Sequence, residues 1–253
     1  MNLKTNTKTA LIDLELISYS HAAKAESTGT GLQSLVEMVE FTIQSVVSAC
    51  RAQKHYLVVS GRDNFRKVLY PDYKAGRREK PALYVPLMDK LEEANASRWC
   101  KHDQLEADDL LGIMLTNGRV KNPILCSIDK DLLGVPGWHY NWNKDDWPRG
   151  VTQAEADFHW LVQLLMGDST DNIEGMKGIG IAKAQKLASS YCEKTGTPLA
   201  PIPAAQKIYE AEGFTLDAYK KCLMLISIWR SPMPAELLEN ELILEVSKTI
   251  PSL

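Results

Sequence analysis

The residues best suited to chemistry fall in one stretch, Met166-Gly167-Asp168-Ser169-Thr170-Asp171-Asn172-Ile173-Glu174-Gly175-Met176-Lys177-Gly178-Ile179-Gly180-Ile181-Ala182-Lys183. Its first half sets Asp168 and Asp171 three residues apart. Hard divalent cations take oxygen ligands, and Mg²⁺ usually keeps several waters beside one or two carboxylates. In isolation the same pair suits a turn and a helix N-cap equally well. In the second half, Gly178 and Gly180 permit positive φ and close approach by another backbone. Unpaired amides at the start of the following helix suit a phosphate oxygen, and Lys177 and Lys183 flank them. A helix C-cap followed by a tight turn would use the glycines in the same way. The spacing lacks the third glycine and the preceding strand of a dinucleotide fingerprint. A metal-ready half beside a phosphate-ready half points to nucleic acid.

More carboxylates stand where elements end. Asp13 closes the apolar run Thr9–Ile12, and Asp129 and Asp131 follow the run that begins at Asn122. Glu106 and Asp109 share a face at i,i+3 on a helix that also carries Asp108. Each group has a plainer reading: first-turn acids favoured by the helix dipole, or caps of the turn at Lys130. If all converge, two like charges about 4 Å apart repel by roughly 4 kcal/mol at an effective dielectric near 20. Two divalent ions roughly 3.5–4 Å apart would relieve that repulsion, clamp a phosphate and lower the pKa of an attacking water. The chemistry implied is phosphodiester hydrolysis.

Between Arg62 and Lys80 the bases Arg62, Arg66, Lys67, Lys74, Arg77, Arg78 and Lys80 outnumber the acids Asp63, Asp72 and Glu79, with Phe65, Tyr70 and Tyr73 interleaved. Such a strip suits a phosphate backbone and stacked bases, as in single-stranded nucleic acid or a duplex end. The net charge of −3 argues only weakly against a nucleic-acid binder, because the distribution of charge counts for more.

The elements that must position these groups follow from periodicity. Strands are expected at Thr9–Ile12, His55–Ser60 and Asn122–Asp129, with another short one in the tryptophan-rich stretch Trp138–Trp147. Helices are expected over Leu32–Cys50, Pro81–Ala96, Asp103–Thr116 and from about Ala204, with Tyr219–Trp229 the best of the last group. Pro198, Pro201 and Pro203 read as a connector. Strands alternating with helices predict an α/β fold, mostly parallel, with ligand sites at strand C-terminal ends. Residues 1–150 are expected as the α/β core and 151–253 as a mainly helical region.

With 253 residues, 45% of them hydrophobic and 24% charged, the chain has ample material for a core. There is no apolar run long enough to span a bilayer, and Met1–Thr9 lacks the apolar centre of a secretory signal. The five cysteines are scattered and form no Cys-x-x-Cys pair. Reduced thiols and a cytoplasmic setting, in a bacterial or phage-infected cell, are the expectation. The histidines lack zinc-ligand spacing and no nucleophile elbow occurs, so zinc and nucleophilic mechanisms gain no support.

Taken in order, Phe65-Arg66-Lys67, Tyr70-Pro71-Asp72-Tyr73-Lys74-Ala75-Gly76-Arg77, Glu106-Ala107-Asp108-Asp109, Ser127-Ile128-Asp129-Lys130-Asp131-Leu132-Leu133 and the Gly167–Gly180 block resemble the flap endonucleases and 5′→3′ exonucleases, most of all the stand-alone phage type. The resemblance covers roughly residues 9–192. It implies a first metal among Asp13, Glu106, Asp108 and Asp109, and a second among Asp129, Asp131, Asp168 and Asp171, with Mg²⁺ as the ion and Mn²⁺ as a substitute. Lys74 and Arg77, counted with Asp108 and Asp109 as catalytic, would sit on a helical arch at about 62–96 and steady the scissile phosphate. Arg66 and Tyr73, with Phe65, Lys67 and Arg78 in the same strip, would hold the frayed 5′ end. Lys177, Gly178, Gly180 and Lys183 would belong to a helix–hairpin–helix at about 167–192 that grips duplex DNA, often with K⁺. The implied partners are DNA with 5′ ends, flaps or nicks, or RNA–DNA hybrids, acted on by a monomer away from membranes.

One departure stands out. In the family the second strand usually ends in an aspartate, whereas here it ends at Ser60 and the nearest acid is Asp63. Either Asp63 substitutes from the loop or the first metal has one charged partner fewer. A junction-binding protein that does not cut is therefore the alternative reading. A small acidic-site ribonuclease is a third, disfavoured because it needs neither the basic strip nor the glycine hairpin.

Overall fold

In the computed structural model, residues 7–195 and 200–250 are described. The leader reading of residues 1–6 and the role of Pro198 lie outside them. The chain runs β1 (Thr9–Asp13), α1 (Leu14–Thr28), α2 (Leu32–Ala49), β2 (Lys54–Val59), α3 (Phe65–Leu69), α4 (Tyr84–Asn95), β3 (Trp99–Lys101), α5 (Ala107–Thr116), β4 (Pro123–Cys126), β5 (Gly137–Tyr140), β6 (Arg149–Val151) and α6 (Gln153–Met166). It continues with the hairpin β7 (Gly167–Asp168) and β8 (Ile173–Glu174), then α7 (Ile181–Thr195), α8 (Pro201–Ala211), α9 (Leu216–Ile226), α10 (Ala235–Leu238) and α11 (Glu241–Lys248).

The main sheet has the order β3-β2-β1-β4-β5-β6, parallel except for β6. The alternating side chains of β1 explain the layering. Leu11 enters a core with α5, α6 and α9, while Ala10 and Ile12 enter another with α1, α2 and α4. Burial on both faces requires continuous apolar strands, which is what Ala10-Leu11-Ile12 and Leu57-Val58-Val59 supply. From β1 the chain builds outward to β2 and β3, then returns to place β4 on the other side of β1. The reversal opens a crevice at the C-terminal ends of β1 and β4, where ligands of open α/β sheets bind.

Several expectations change in detail. The expected strand at Asn122–Asp129 stops at Cys126, so Asp129 sits in the loop beyond it. The helix expected from Asp103 begins at Ala107, with Glu106 as its N-cap. The expected arch at 62–96 is helical only at its two ends. Residues 70–83, which include Gly76, Pro81 and a run of charges, form turns and irregular chain. Within α4, Tyr84, Leu87 and Leu91 are buried against α1 and α2, so α4 belongs to the body of the fold. Pro201 opens α8, a position where its missing N–H costs nothing, instead of serving as a connector. The short edge strand β3 and the helix α1 carry patterns too short or too mixed to read from periodicity. Among the described residues, no helix is long and apolar enough to cross a membrane.

Candidate active site

Asp13 ends β1 at the crevice and is 2% exposed. Its Oδ2 accepts the Ser127 hydroxyl at 2.7 Å, and Ser127 Oγ accepts the Asp129 amide at 3.0 Å. Asp129 Oδ1 in turn accepts the Asp131 amide at 2.8 Å. One buried hydroxyl thus ties the ends of β1 and β4 together and turns the loop after β4 so that its acids face Asp13. Burial pushes the Asp13 carboxyl up to about 7, the charges of Glu15 and Asp129 add to this, and the Ser127 hydrogen bond opposes it.

Asp108, in the first turn of α5, is half-buried and has no hydrogen-bond or ion-pair partner among the described residues. Burial, followed by the charges of Asp13, Asp129 and Glu106, holds its carboxyl well above the usual range. These four acids therefore share one space. Asp131 is governed in the same way by burial and by Asp129, Asp168 and Asp171, which push it up to about 6. Asp168 lies on β7 and accepts the Thr170 amide at 2.7 Å, and Asp171 lies in the turn of the hairpin. That hairpin closes because Gly167, at φ +70°, leaves room for the Gly175 backbone, which a Cβ would meet at 2.3 Å. Asp129 is common to both groups.

Among the described residues no three carboxylates close into a single ligand set. Basic side chains lie between them. The Lys74 ammonium bonds Glu106 and stands 3.5 Å from Asp171. Arg77 donates to Asp171 Oδ1 from Nε and from a terminal nitrogen, at 2.9 and 2.6 Å. Burial alone would raise the Glu106 carboxyl. The charges of Lys74 and Arg66, with hydrogen bonds from Lys74 and Tyr73, hold it below its usual value.

Four of the expected site residues are committed elsewhere. Arg66 is 2% exposed and Asp109 fully buried, and they meet in a two-pronged ion pair at 2.6 and 2.8 Å. Asp109 also accepts the Trp229 amide at 3.1 Å and the Glu106 amide at 3.3 Å, so its lone pairs are spent inside the protein. Phe65 is buried against Trp229, with ring centroids 4.9 Å apart, and Tyr73 is buried with its hydroxyl donating to Glu106 at 2.7 Å. Asp109 is thus corrected from metal ligand to core ion-pair partner, and Arg66, Phe65 and Tyr73 from nucleic-acid contacts to internal supports. The helix period explains it: Asp109 lies on the face of α5 that is turned toward the core.

Lys67, Arg77 and Arg78 are exposed, as are Lys177, Gly178, Gly180 and Lys183. Gly178 adopts φ +78°, and a Cβ there or at Gly180 would meet nothing within 4 Å, which leaves open space before the first turn of α7. Lys183 Nζ bonds the Gly178 carbonyl at 3.3 Å. Asp63 is exposed, with its amide on the Asp103 carbonyl. Two groups escaped the sequence reading, Ser127 and Glu15. A serine two residues before an acid, and an acid two residues beyond Asp13, were the available signals.

These shifts set the pH dependence of stability. An acid whose folded pKa is raised binds more protons folded than unfolded between its two pKa values, so stability falls as pH rises through that window. Asp13 and Asp131 place the window between about 4 and about 7. Glu106, with its pKa lowered, acts oppositely and costs stability only as pH falls below about 4.5. In EDTA the melting temperature is expected to peak near pH 5 and to fall by several degrees toward pH 7.5 in differential scanning fluorimetry. A curve flat from pH 5 to 7.5 would show that the acids are not crowded in solution.

The family model described as 5′-3′ exonuclease, N-terminal resolvase-like domain matches residues 8–146, more than half of the chain. The exonuclease of Escherichia phage T7 is 32% identical over 123 residues, which is 46% of this chain and 41% of that protein. A 5′-3′ exonuclease of Buchnera aphidicola is 29% identical over 166 residues, 59% of this chain and 58% of the relative. The chain therefore spans less than two thirds of each of these relatives. A solved complex of the phage T5 D15 flap endonuclease with DNA and metal ions superposes with a TM-score of 0.63 at 16% identity, over 95% of this chain and 97% of that one. A second T5 D15 structure, co-crystallised with metal ions, gives 0.62 at 17% identity with the same coverage. The fold is thus that of the T5 protein, and by the match over residues 8–146 the chain belongs to the 5′→3′ exonuclease family.

Proposed function

We propose that this protein is a divalent-metal-dependent, structure-selective 5′ nuclease that hydrolyses phosphodiesters at 5′ ends, flaps or nicks of DNA. The observation that carries this reading is Asp108, an unpartnered carboxylate among Asp13, Asp129 and Glu106 at the switch point of the sheet. Crowded like charges, offset at Asp108 by a lysine already bonded to Glu106, fit a hard divalent ion. Asp13, Asp108, Asp129, Asp131 and Asp168 would hold Mg²⁺ or Mn²⁺ as two ions, with Glu106 and Asp171 joining when Lys74 and Arg77 turn away. When bound, such ions lower the pKa of an attacking water and draw charge from the phosphate.

The rest falls to the protein. Lys74 and Arg77 would exchange their carboxylate partners for the scissile phosphate and stabilise its developing charge. Lys67 and Arg78 would hold the backbone of the 5′ strand, and residues 177–183, as a helix–hairpin–helix, would hold the duplex through amides and lysines, with or without K⁺. RNA–DNA hybrids would present the same backbone. The phage T5 relative's complex with DNA and metal ions supports DNA as substrate.

The experiment is cleavage of 5′-labelled flap, nicked and RNA–DNA hybrid substrates with Mg²⁺, Mn²⁺ or EDTA, beside Asp168→Ala. Metal-dependent products that vanish in EDTA and in the variant are expected. Ser60 at the strand end favours a second reading, a junction binder without catalysis. Tight binding with no product under either metal would establish that reading instead.

A further inference from the structure

We propose that Glu15, held in place by Ser60, is an additional carboxylate of the divalent-metal site at Asp13 and Asp108. The assignment rests on the nuclease reading above. Position 60 lies two residues beyond Val58, the parallel partner of Asp13, and so faces the same crevice. The serine there has no charge to offer a cation, yet both roles of its hydroxyl are used. It donates to Glu15 Oε2 at 2.6 Å and accepts the Ala107 amide at 3.1 Å, one residue before Asp108. The Glu15 carboxylate, projecting from the first turn of α1, is thereby drawn back over the end of β2.

Its surroundings set Glu15 apart from Glu106 and Asp171. Glu106 and Asp171 each have basic partners, whereas Glu15 has no Lys or Arg partner among the described residues. Its oxygens accept only neutral hydroxyls, from Ser60 and, at 3.4 Å, from Tyr84. A half-buried carboxylate can accept about four hydrogen bonds, so lone pairs remain free. It lies close enough to Asp13 for its charge to act there. Asp13, Asp108 and Glu15 thus gather negative charge at one corner, and among the described residues no Lys or Arg forms an ion pair with any of the three. Ser60 is a positioning residue, joining this carboxylate to the helix that carries Asp108.

The alternative role for Glu15 is purely structural: an acid favoured in the first turn of α1 that also braces Ser60. Mn²⁺ binding to the full chain, read by calorimetry and electron paramagnetic resonance, separates the two without relying on turnover. Even groups that only hydrogen-bond a metal ligand typically change metal affinity by about 10–100-fold. Glu15→Gln is therefore expected to weaken the tighter Mn²⁺ site at least about tenfold, and Ser60→Ala by a smaller factor. Asp63→Ala, on the exposed loop, is expected to match the wild type. Placing a carboxylate at the strand end, in Glu15→Gln/Ser60→Asp, is expected to restore most of the affinity.

Unchanged Mn²⁺ affinity in Glu15→Gln, with an unaltered melting curve, would overturn the assignment. A loss that the double variant does not restore would also overturn it, by showing that Glu15 acts through its own packing. A wild-type protein that binds no Mn²⁺ at all would bring down the metal-nuclease reading itself, a result distinct from either of these.

Discussion

Replacing Asp108 with alanine is expected to lower Mg²⁺-dependent cleavage about 10³-fold, which is about 4 kcal/mol of transition-state stabilisation. The same change is expected to raise the melting temperature of the protein in EDTA. Both signs follow from one observation. The carboxylate has no hydrogen-bond or ion-pair partner among the described residues and faces Asp13, Asp129 and Glu106, with Lys74 the smaller, opposing charge, so its charge serves a further cation. Without the ion its repulsions outweigh its attraction to Lys74. Relief of about 1–2 kcal/mol would lift the melting temperature by roughly 2–8 °C for a domain of this size. Single-turnover cleavage of a labelled flap and a melt in EDTA give the two readings. Loss of both activity and stability would mean that Asp108 supports the fold. Undiminished cleavage would remove it from the site.

The sequence spoke most clearly where its signal was local. Thr9–Ile12 and Leu57–Val59 are continuous apolar strands, and sheet burial on two faces tolerates little else, so the α/β class could be read directly. The acids at element ends were legible for a similar reason, since the switch point collects the residues that follow parallel strands. The roles within the basic strip were not legible. Charge and aromatic content place Phe65, Arg66 and Tyr73 on the surface, yet all three are buried. Arg66 is held by Asp109 and by the carbonyls of Leu225 and Ser227, Phe65 packs on Trp229, and Tyr73 bonds Glu106; these partners lie about 30 to more than 150 residues on, and no local pattern announces such pairings. Glu15 was hidden in another way. Its place depends on a hydroxyl from a different strand, so a search for an acid at the end of β2 looked along the chain to Asp63, when the nearer carboxylate lay across the sheet.

Asp109, the immediate neighbour of Asp108, is expected to show the opposite behaviour. Asp109→Asn should cost about 3–5 kcal/mol in urea unfolding, because it removes the two-pronged counter-charge of the buried Arg66 guanidinium and leaves it only Glu106, at 3.3 Å. Cleavage by the fraction that stays folded should change little. A buried ion pair exchanged for apolar residues of similar volume is often neutral, which would make Arg66→Met/Asp109→Leu a rescue. Here the pair also satisfies backbone groups: Arg66 donates to the Leu225 and Ser227 carbonyls, and Asp109 accepts the Trp229 and Glu106 amides. Each such group, left buried and unpaired, costs about 1–3 kcal/mol. Even half of that total matches the loss from Asp109→Asn, so the double variant is expected to stay at least as unstable as the single one. Recovery to wild-type stability would show that those four groups find other partners and that the pair is dispensable to the fold. Persistence of the loss would identify the Arg66–Asp109 pair as the clamp joining α3, α5 and the segment after α9, and so fixing the base on which Glu106 and Asp108 stand.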